Sequence, residues 1–411
     1  MSSLQHRDSL VIAGNTEPKH QSVRTALDIL RENPSQLIEI RDRIASGLSG
    51  GLDDVDISRA RRLLYATDAS IYEMEPLAIT YPQNTEDVQA IVQVANELGV
   101  PILPRGAGTS LAGQGVNHAI VIDFTRHMNK IIKIIPEEQI AVVQPGLVVD
   151  HLNKEAKQFQ LMYPVDPSTR NRATIGGGIG NNSCGAHSLR HGKTSDQVIS
   201  LTVVLNDGSI VKTSPLSGPE LEEKLTDLNR EGDLYRTVTE IVRTRQQEIE
   251  AYFPDIPRRV SGYNFDTVLS ADDIRGETVD LGQLLVGSEG TLGLVTEATI
   301  GLVTSAEKTG IVALHFETIE AACRAAPQAV AHDPAAVEFV DHTIIERCRE
   351  SLSYASLVDF VIGDPGGLLL VEVDGDTDEI VQSKMQALRD DFAERGLTDQ
   401  AFSTANVGEQ A

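Results

Sequence analysis

Residues 174–196, TIGGGIGNNSCGAHSLRHGKTSD, hold six glycines and two adjacent asparagines among few large apolar side chains. A second glycine-rich loop, residues 104–110 (PRGAGTS), follows the apolar stretch 100–103. Glycine loses more conformational freedom on ordering than other residues, so it accumulates where φ is positive or where a ligand must lie against bare backbone. Two such loops in one chain predict one elongated ligand that is held at two places.

The composition indicates a folded, acidic protein of two or three domains. The 411 residues are 41% hydrophobic, which is enough for sizeable cores. The 35 Lys and Arg against 60 Asp and Glu give a formal net charge of -25. This charge repels phosphate backbones, so no nucleic acid is expected as a partner, and an anionic ligand needs a local basic or N–H-rich pocket.

The cysteine pattern and the hydropathy predict a cytoplasmic protein. Cys184, Cys323 and Cys348 are far apart and form no C-x-x-C motif. No disulfide framework, no iron–sulfur or zinc site and no other metal site is therefore expected. Residues 1–14 contain no apolar core of signal-peptide length, and no stretch approaches the roughly 18 apolar residues of a membrane span. Peripheral association with a membrane stays open.

The hydrophobic periodicity predicts the fold class α+β. Residues 25–48 have helical spacing that is interrupted at Asn33-Pro34, which indicates two short helices. A strand–helix–strand unit follows from Ala78, and a hairpin with a type I′ turn is expected at 206–208. The other expected elements are strands at 119–123, 140–143, 310–316, 335–340 and 368–374, helices at 148–159, 234–251 and 318–332, and a strand–turn–strand at 284–303.

The glycine loops do not match the common nucleotide-binding motifs. Residues 104–110 lack the G-x-G-x-x-G order that opens a helix in a Rossmann domain. Gly192-Lys193-Thr194 matches the end of a P-loop, but His187 stands where that motif requires glycine. Residues 104–110 do offer consecutive backbone N–H groups and the hydroxyls of Thr109 and Ser110, which suit a pyrophosphate.

Three motifs, in order along the chain, carry a resemblance to a known family. PRGAGTSLAGQG, YPVDPSTRNRATIGGGIGNNSCGAHSLRHGKTSDQV and VGSEGTLGLVTEATI resemble the FAD-binding domain of FAD-linked oxidases of the vanillyl-alcohol-oxidase type. Within that superfamily they are most similar to the D-lactate, glycolate and D-2-hydroxyglutarate dehydrogenase branch, in particular to fused flavin and iron–sulfur enzymes.

The resemblance implies a domain organisation in three parts. The first is an N-terminal helical extension at residues 1–75. The second, at 76–304, is a two-subdomain FAD-binding fold of the p-cresol methylhydroxylase (PCMH) type. The third, at 305–411, is a partial ferredoxin-like α+β cap domain that is expected to be truncated.

The resemblance also implies FAD as the cofactor. The first loop would hold the pyrophosphate, the second would line the ribityl chain and isoalloxazine, and residues 289–293 would close the site. Relatives with a covalent flavin use a histidine in the first loop, where this chain has Ala107, so noncovalent FAD is expected. The implied cofactor-binding residues are Pro104, Arg105, Gly106, Ala107, Gly108, Thr109, Ser110, Gln114, Pro167, Ala173, Thr174, Ile175, Gly176, Gly177, Gly178, Asn181, Asn182, Ser183, Cys184, Gly185, His187, Glu289, Gly290 and Val295.

Three reactive side chains of the second loop allow more than one interpretation. Cys184 is interpreted as a small residue packed against the cofactor rather than as a covalent or redox thiol. His187 and His191 could carry protons beside the flavin, or could be loop residues hydrogen-bonded to backbone. The second interpretation is favoured for His191.

Oxidation of a 2-hydroxy acid requires a cation for the carboxylate, a base for the hydroxyl proton and a hydride acceptor, here flavin N5. Residues 258–264, RRVSGYN, offer the cation, because an arginine fork binds a small carboxylate bidentately. The expected substrate-binding residues are Arg258, Arg259, Ser261, Tyr263 and Asn264. The alternative is a basic pair on the surface. The catalytic base is not assigned.

The cap departs from the family pattern. Relatives carry a His-rich Gly-Asp-Gly-Asn-type motif there, whereas His315, His332 and His342 of this chain lack metal-ligand spacing. The expected function is FAD-dependent oxidation of a D-2-hydroxy acid such as D-lactate, glycolate or D-2-hydroxyglutarate, with an iron–sulfur or quinone acceptor outside the chain. One alternative is a noncatalytic flavin-binding fragment or subunit that needs a partner for the base and metal. Another is an NADPH-dependent reductase of the same fold.

Overall fold

The computed structural model describes residues 34–272, 276–398 and 400–405. Its α-helices are α1 Pro34–Ala45, α2 Arg59–Leu64, α3 Thr85–Leu98, α4 Val149–Ala156, α5 Ile175–Asn181, α6 Ser188–His191, α7 Thr194–Gln197, α8 Gly218–Thr226, α9 Arg230–Thr244, α10 Gln246–Tyr252, α11 Leu281–Leu285, α12 Ile319–Val330, α13 His342–Glu350 and α14 Asp378–Glu394. Its strands are β1 Val55–Asp56, β2 Ala78–Thr80, β3 Ile102–Arg105, β4 Ile120–Asp123, β5 Ile131–Ile135, β6 Ile140–Val143, β7 Leu161–Met162, β8 Val198–Val204, β9 Ile210–Thr213, β10 Leu216–Ser217, β11 Leu269–Asp272, β12 Gly276–Val279, β13 Leu294–Gly301, β14 Val303–Thr304, β15 Lys308–Phe316, β16 Ala336–Asp341, β17 Gly367–Gly375 and β18 Ala401–Thr404.

The predicted strand–helix–strand unit forms the first sheet, whose strand order is β1-β2-β4-β3. Strand β4 pairs in parallel with β2 and with β3. The Asn84 side chain caps α3 by accepting a hydrogen bond from the Asp87 N–H, and Gly99 ends the helix with φ 64°. Residues 104–110 leave the carboxyl end of β3, which places the first glycine loop at the edge of this sheet.

The segment before residue 76 packs into the same layer. The first of its two expected helices lies outside the described residues, and the second is α1. Ile40 and Ile44 of α1 share a core with Val88 and Ile120, and β1 pairs antiparallel with β2. The described part of this segment therefore includes a strand as well as helices.

The second sheet, β5-β6-β13-β8-β9, is antiparallel, and the second glycine loop packs against its buried face. Ile175 and Ile179 of α5 pack among the buried residues of this sheet. The strand expected at the start of 284–303 is instead the helix α11, and only the second element, β13, is a strand.

The hairpin between β8 and β9 differs from its expected turn type. A type I′ turn needs positive φ at two successive residues, but in 206–208 only Gly208 has it, at 83°. The Gly208 N–H donates to the Leu205 carbonyl at 3.0 Å, and the Leu205 N–H to the Ser209 carbonyl at 2.8 Å. The connection is therefore a three-residue loop that ends in a left-handed glycine, and the type I′ prediction was wrong.

The C-terminal unit has a ferredoxin-like βαββαβ order with one additional helix, α13, between β16 and β17. Its antiparallel sheet runs β16-β17-β15-β18. Helices α12 and α14 cover one face, where Val371 and Val373 of β17 pack with Ala325 and Leu388. Glu372 and Asp374 alternate with these valines, so the other face of β17 is acidic. Among the helices of the described residues, none has both the length and the apolar character needed to cross a membrane.

Candidate functional site

A cavity of about 470 Å³ opens where the two glycine loops meet the loop that precedes β13. Of the cofactor-binding residues expected from the sequence, Ile175, Gly185 and His187 do not line it, and all the others do. Ile175 is instead buried in the core below. Lining residues that the sequence analysis missed are Leu111, Ala112, Gly115, Phe124, Pro145, Thr169, Ile179, Gly180, Val260, Leu285, Ser288 and Leu294. Gly115 lies within the quoted first motif, so its signal was available.

The glycines of the second loop fall into two groups. A Cβ added at Gly178 or Gly180 would have no protein atom nearer than 3.9 or 3.7 Å, respectively, so these residues present bare backbone to the cavity. A Cβ at Gly176 would lie 2.5 Å from the Pro145 Cβ, and one at Gly185 would lie 2.2 Å from the Asp166 carbonyl oxygen. The first group leaves room for a ligand, and the second allows close packing of the chain itself.

The two glycine loops touch each other. A Cβ at Gly106 would lie 2.2 Å from the Thr174 Oγ1. That same Oγ1 caps α5 by accepting from the Gly177 N–H at 3.2 Å. Glu289 lies in the loop that precedes β13, residues 286–293, which is called the third loop below. It has a left-handed conformation with φ 50°, and it accepts from the Gln114 Nε2 at 3.1 Å, which joins the third loop to the first. Three separate segments thus form one continuous wall.

The wall has donors without internal partners. Within the described residues, the amide N–H groups of 106–110 donate to no other group of the chain. The Asn182 side chain is fully buried beside the cavity, and its Oδ1 accepts from the Ser195 N–H at 3.0 Å. Its Nδ2 has no partner. Successive free amides suit an anion, and a buried orphan donor suits a ligand acceptor, so the cavity fits a phosphate-containing ligand.

Arg105 turns its guanidinium away from the cavity and into the protein. It donates to the carbonyls of Thr67 at 2.8 Å and Gly115 at 2.6 Å, and it stacks over the Tyr65 ring at 5.2 Å. Asp68 accepts from the Gly115 N–H at 3.0 Å. Residues 65–68 therefore hold the base of the first loop. The sequence analysis missed this contribution, because a short polar stretch before residue 76 carries no periodic signal.

The five residues expected to bind substrate have different surroundings. The Arg259 Nη2 donates to both carboxylate oxygens of Asp266, at 2.5 and 2.6 Å, and the buried Asn264 donates to the Val286 carbonyl at 2.9 Å. Both side chains are therefore engaged within the protein, whereas the sequence analysis expected them to bind substrate. Arg258 is half exposed and donates to the Gly185 carbonyl at 2.9 Å.

The other two residues, Ser261 and Tyr263, lie between these arginines and the third loop. The Tyr263 hydroxyl is 2.8 Å from the Thr291 Oγ1, which links residues 258–264 to that loop. Ser261 is exposed, and its neighbour Val260 lines the cavity. Of the two arginines, Arg258 is the more exposed, although it does not itself line the cavity.

Comparison with known proteins decides what kind of ligand this cavity takes. Residues 76–214 match the model of the FAD binding domain, and residues 305–411 match that of the FAD linked oxidases, C-terminal domain. This chain belongs to the FAD-linked oxidases. The free amides, the orphan amide of Asn182 and the bare glycine backbone fit FAD, whose pyrophosphate needs donors and whose ring needs a flat, uncrowded wall.

Relatives of this FAD-linked oxidase chain are longer proteins. D-2-hydroxyglutarate dehydrogenase of Escherichia coli (strain K12) is 36% identical over 347 residues, which are 82% of this chain and 34% of that protein. The glycolate oxidase subunit GlcD of Bacillus subtilis (strain 168) is 31% identical over 88% of this chain and 63% of its own length. The chain thus spans about a third of the D-2-hydroxyglutarate dehydrogenases that it matches.

The solved structure of p-cresol methylhydroxylase with substrate bound has the same fold. It superposes with a TM-score of 0.61 at 16% identity, over 90% of this chain and 66% of that one. This result confirms the expected PCMH-type, α+β architecture of the FAD-linked oxidase chain.

His187 lies behind the FAD cavity wall, between two carboxylates. Its Nδ1 is 2.7 Å from the Asp166 Oδ2, and its Nε2 is 3.3 Å from the Glu372 Oε1 of β17. The hydrogen bond to Asp166 and then that to Glu372 raise the pKa of His187 to about 10, although burial opposes the shift. The imidazolium donates on both sides at neutral pH. The structure thus places His187 outside the cavity lining with both ring nitrogens engaged, whereas cofactor contact and proton transfer were the two roles considered for it.

The histidines of the cap have structural partners. The buried His315 ring has its Nδ1 at 3.2 Å from the Gln400 carbonyl, and its Nε2 accepts from the Ile362 N–H at 3.0 Å. Burial lowers the pKa of His315, in keeping with this neutral tautomer. His332 contacts Asp391 at 3.0 Å, and His342 contacts the Pro365 carbonyl at 3.2 Å. In the part of the chain that the structure describes, no group of three or more His, Cys, Asp or Glu side chains is arranged to hold a metal.

Proposed function

We propose that this chain binds FAD noncovalently and takes part in the oxidation of a D-2-hydroxy acid by hydride transfer to flavin N5. The cavity between the two glycine loops carries the proposal, because its row of free amides and its bare glycine wall suit a dinucleotide. The substrate class comes from the relatives, which are named for D-2-hydroxyglutarate and glycolate. Bound FAD would supply the hydride acceptor.

Arg258 is the residue that we propose for the substrate carboxylate. Its guanidinium is half exposed and reaches the carbonyl of Gly185, the residue after the cavity-lining Cys184. Its only acidic neighbour in the described residues, Glu338, is 3.7 Å away, so a substrate carboxylate can compete for it. The adjacent residue, Arg259, anchors this segment through its ion pair with Asp266.

We propose that the base for the hydroxyl proton and the iron–sulfur or quinone acceptor are supplied from outside this chain. His187 and His315, which would be natural bases, are occupied as described above.

We further propose the domain boundaries 76–304 and 305–411 and a cytoplasmic location. Cys184 lines the cavity as a free thiol, and we propose that it packs against the flavin without a covalent bond.

An anaerobic visible spectrum of the FAD-loaded protein, before and after addition of D-lactate, D-2-hydroxyglutarate or glycolate, tests the proposal. Bleaching by one of these acids is the expected result. The Arg258→Gln variant should need roughly 10- to 100-fold more acid for the same bleaching, since a charge-assisted hydrogen bond is lost. Arg347→Gln, at an exposed arginine of the cap, is the matched control and should bleach like the unchanged protein.

Other outcomes point to the alternatives. Bound FAD that no acid reduces would show that this chain alone lacks a functional base, as in a subunit that needs a partner. Bleaching by NADPH would instead identify a reductase of the same fold. Flavin that stays with the protein after acid denaturation would overturn the noncovalent assignment.

A further inference from the structure

Three cations of the FAD-binding domain meet three carboxylates on one face of the cap sheet. His187 contacts Glu372, Arg190 pairs with Asp374, and Arg258 lies 3.7 Å from Glu338. Glu372 and Asp374 are two apart on β17 and share a face. Glu338 of β16 lies opposite Leu370, and Ala336 lies opposite Glu372, which places Glu338 diagonally beside Glu372.

This acidic patch lies on the face opposite α12 and α14, beyond the end of that face where Leu368 packs with Ile345 of α13. Val371 and Val373 point the other way and pack with α12 and α14. All three cations come from segments that adjoin the FAD cavity: residues 187 and 190 follow its wall at 181–184, and Arg258 bonds to Gly185. The contact therefore joins the cap to the cavity wall and not to a remote surface.

Burial ranks the three pairs. The side chains of His187 and Glu372 are 19% and 24% exposed, and those of Arg190 and Asp374 are 24% and 20% exposed. Arg258 and Glu338 are both 49% exposed, so solvent screens that pair most strongly. Arg190 also donates to the Asp333 carbonyl at 2.9 Å, and Asp166 fixes the far side of the His187 ring.

We propose that His187 and Arg190 form the docking contact that seats the cap on the FAD cavity wall, with His187 as a positioning residue and not as a proton carrier. The cation at His187 links Asp166, next to the cavity-lining Pro167, to Glu372 of the cap. Loss of the His187 contact with Asp166 or with Glu372 releases the cavity wall from the cap. The proposal requires the cavity but not the proposed oxidation, so the two can fail separately.

Hydrogen–deuterium exchange of the peptide that covers residues 184–191 tests the contact directly. In Glu372→Gln, this peptide should exchange about tenfold faster, which corresponds to the loss of one charge-assisted hydrogen bond. Glu320→Gln is the matched control, because Glu320 forms an exposed ion pair within α12, away from the FAD-binding domain. Equal exchange in the two variants would overturn the proposal.

A double-mutant cycle separates a specific contact from general loosening. His187→Gln alone should speed exchange, and adding Glu372→Gln should cause little further change, because both variants break the same contact. Additive effects would contradict the proposal. His187→Arg keeps the cation and should recover part of the protection. Asp374→Asn gives a second, independent test at the Arg190 contact, and it should also raise the FAD dissociation constant of the loaded protein.

Discussion

At the scale of single residues, the glycines of the second loop are alike in the sequence but have opposite roles in the structure. Gly176 is needed because the Pro145 ring lies where its side chain would be. Gly178, two residues later in the same helix, lines the cavity and has no protein atom nearer than 3.9 Å in that direction. Only the second kind of glycine is held free for a ligand, so substitutions at the two sites should separate FAD binding from folding.

The Gly178→Ala variant should weaken FAD binding without destabilising the apoprotein. Gly178 lines the cavity, a Cβ there would meet no protein atom nearer than 3.9 Å, and alanine favours a helix over glycine by up to about 1 kcal/mol. We expect at least about a tenfold loss of FAD affinity with an unchanged or higher melting temperature. Flavin fluorescence titration and thermal unfolding of the apoprotein measure the two effects.

Gly176→Ala is the matched control, because the same substitution in the same helix should lower the melting temperature of the apoprotein. A Cβ there would lie 2.5 Å from the Pro145 Cβ and 2.9 Å from its carbonyl oxygen. Equal FAD affinity in Gly178→Ala and the unchanged protein would contradict the assignment of this wall to the cofactor.

At the scale of elements, the first glycine loop depends on a segment that precedes the domain matched by the family model. Residues 65–72 enclose the loop: Arg105 bonds to the Thr67 carbonyl, Asp68 to the Gly115 N–H, and the Tyr72 ring fills the space beside Gly113. The Ala69 N–H also donates to the Gly108 carbonyl at 3.0 Å. These contacts shape the loop while its amides stay free for the ligand.

The Asp68→Ala variant should therefore lower FAD affinity although Asp68 does not line the cavity. Asp68 accepts from the Ser70 and Gly115 N–H groups, and these bonds together with the nearby Arg105 lower its pKa. Loss of one such bond costs about 1 kcal/mol, so we expect roughly a fivefold to tenfold weaker binding. Isothermal titration with FAD measures it.

Asp207→Ala tests whether this effect is specific to the first loop. Asp207 also accepts a backbone N–H, from Ser209 at 2.8 Å, but it lies in the β8–β9 hairpin away from the cavity. The Asp207→Ala variant should therefore leave FAD affinity unchanged. If both variants weaken FAD equally, residues 65–72 have no special role in shaping the loop.

At the scale of the whole molecule, the contact between cap and FAD-binding domain should make stability depend on pH. The pKa of His187 is about 10 in the folded protein, against an ordinary value of 6.5. Its contribution is therefore fully present below about pH 6.5 and is lost as the pH rises through about 10. The charged groups that face it are Asp166 and Glu372, with Arg190 and His191 nearby.

The difference in unfolding free energy between the unchanged protein and His187→Gln should shrink by about 2 kcal/mol between pH 6.5 and pH 9. Urea unfolding of the FAD-loaded proteins at several pH values measures this difference, and groups that titrate alike in both proteins cancel. A difference that stays constant with pH would show that His187 is not the cation described here.

The sequence predicted much of the fold because local patterns decide it. Helix α3 begins at its Asn84 cap and ends at Gly99, as capping chemistry requires. In β17, valine alternates with an acidic residue over residues 371–374, as expected where the valines face the helices of the cap. Where two conformations are close in local preference, the prediction failed: residues 206–208 form a different turn, and residues 281–285 form a helix, because pairing and packing with neighbours select the conformation.

The sequence by itself indicated the ligand class of this protein, because residues 104–110 suit a pyrophosphate and the three glycine-containing motifs resemble those of FAD-linked oxidases. The tertiary structure alone decided what each charged side chain does. Arg258 and Arg259 are adjacent and chemically identical, yet one is half exposed and donates to the Gly185 carbonyl, whereas the other is paired with Asp266. The partner of Arg259 lies only 7 residues away, but Arg258 bonds to a carbonyl 73 residues away, and for His187 the partner lies 185 residues away in the cap. No local pattern encodes such a separation, because charge pairing depends on distance in space rather than in sequence.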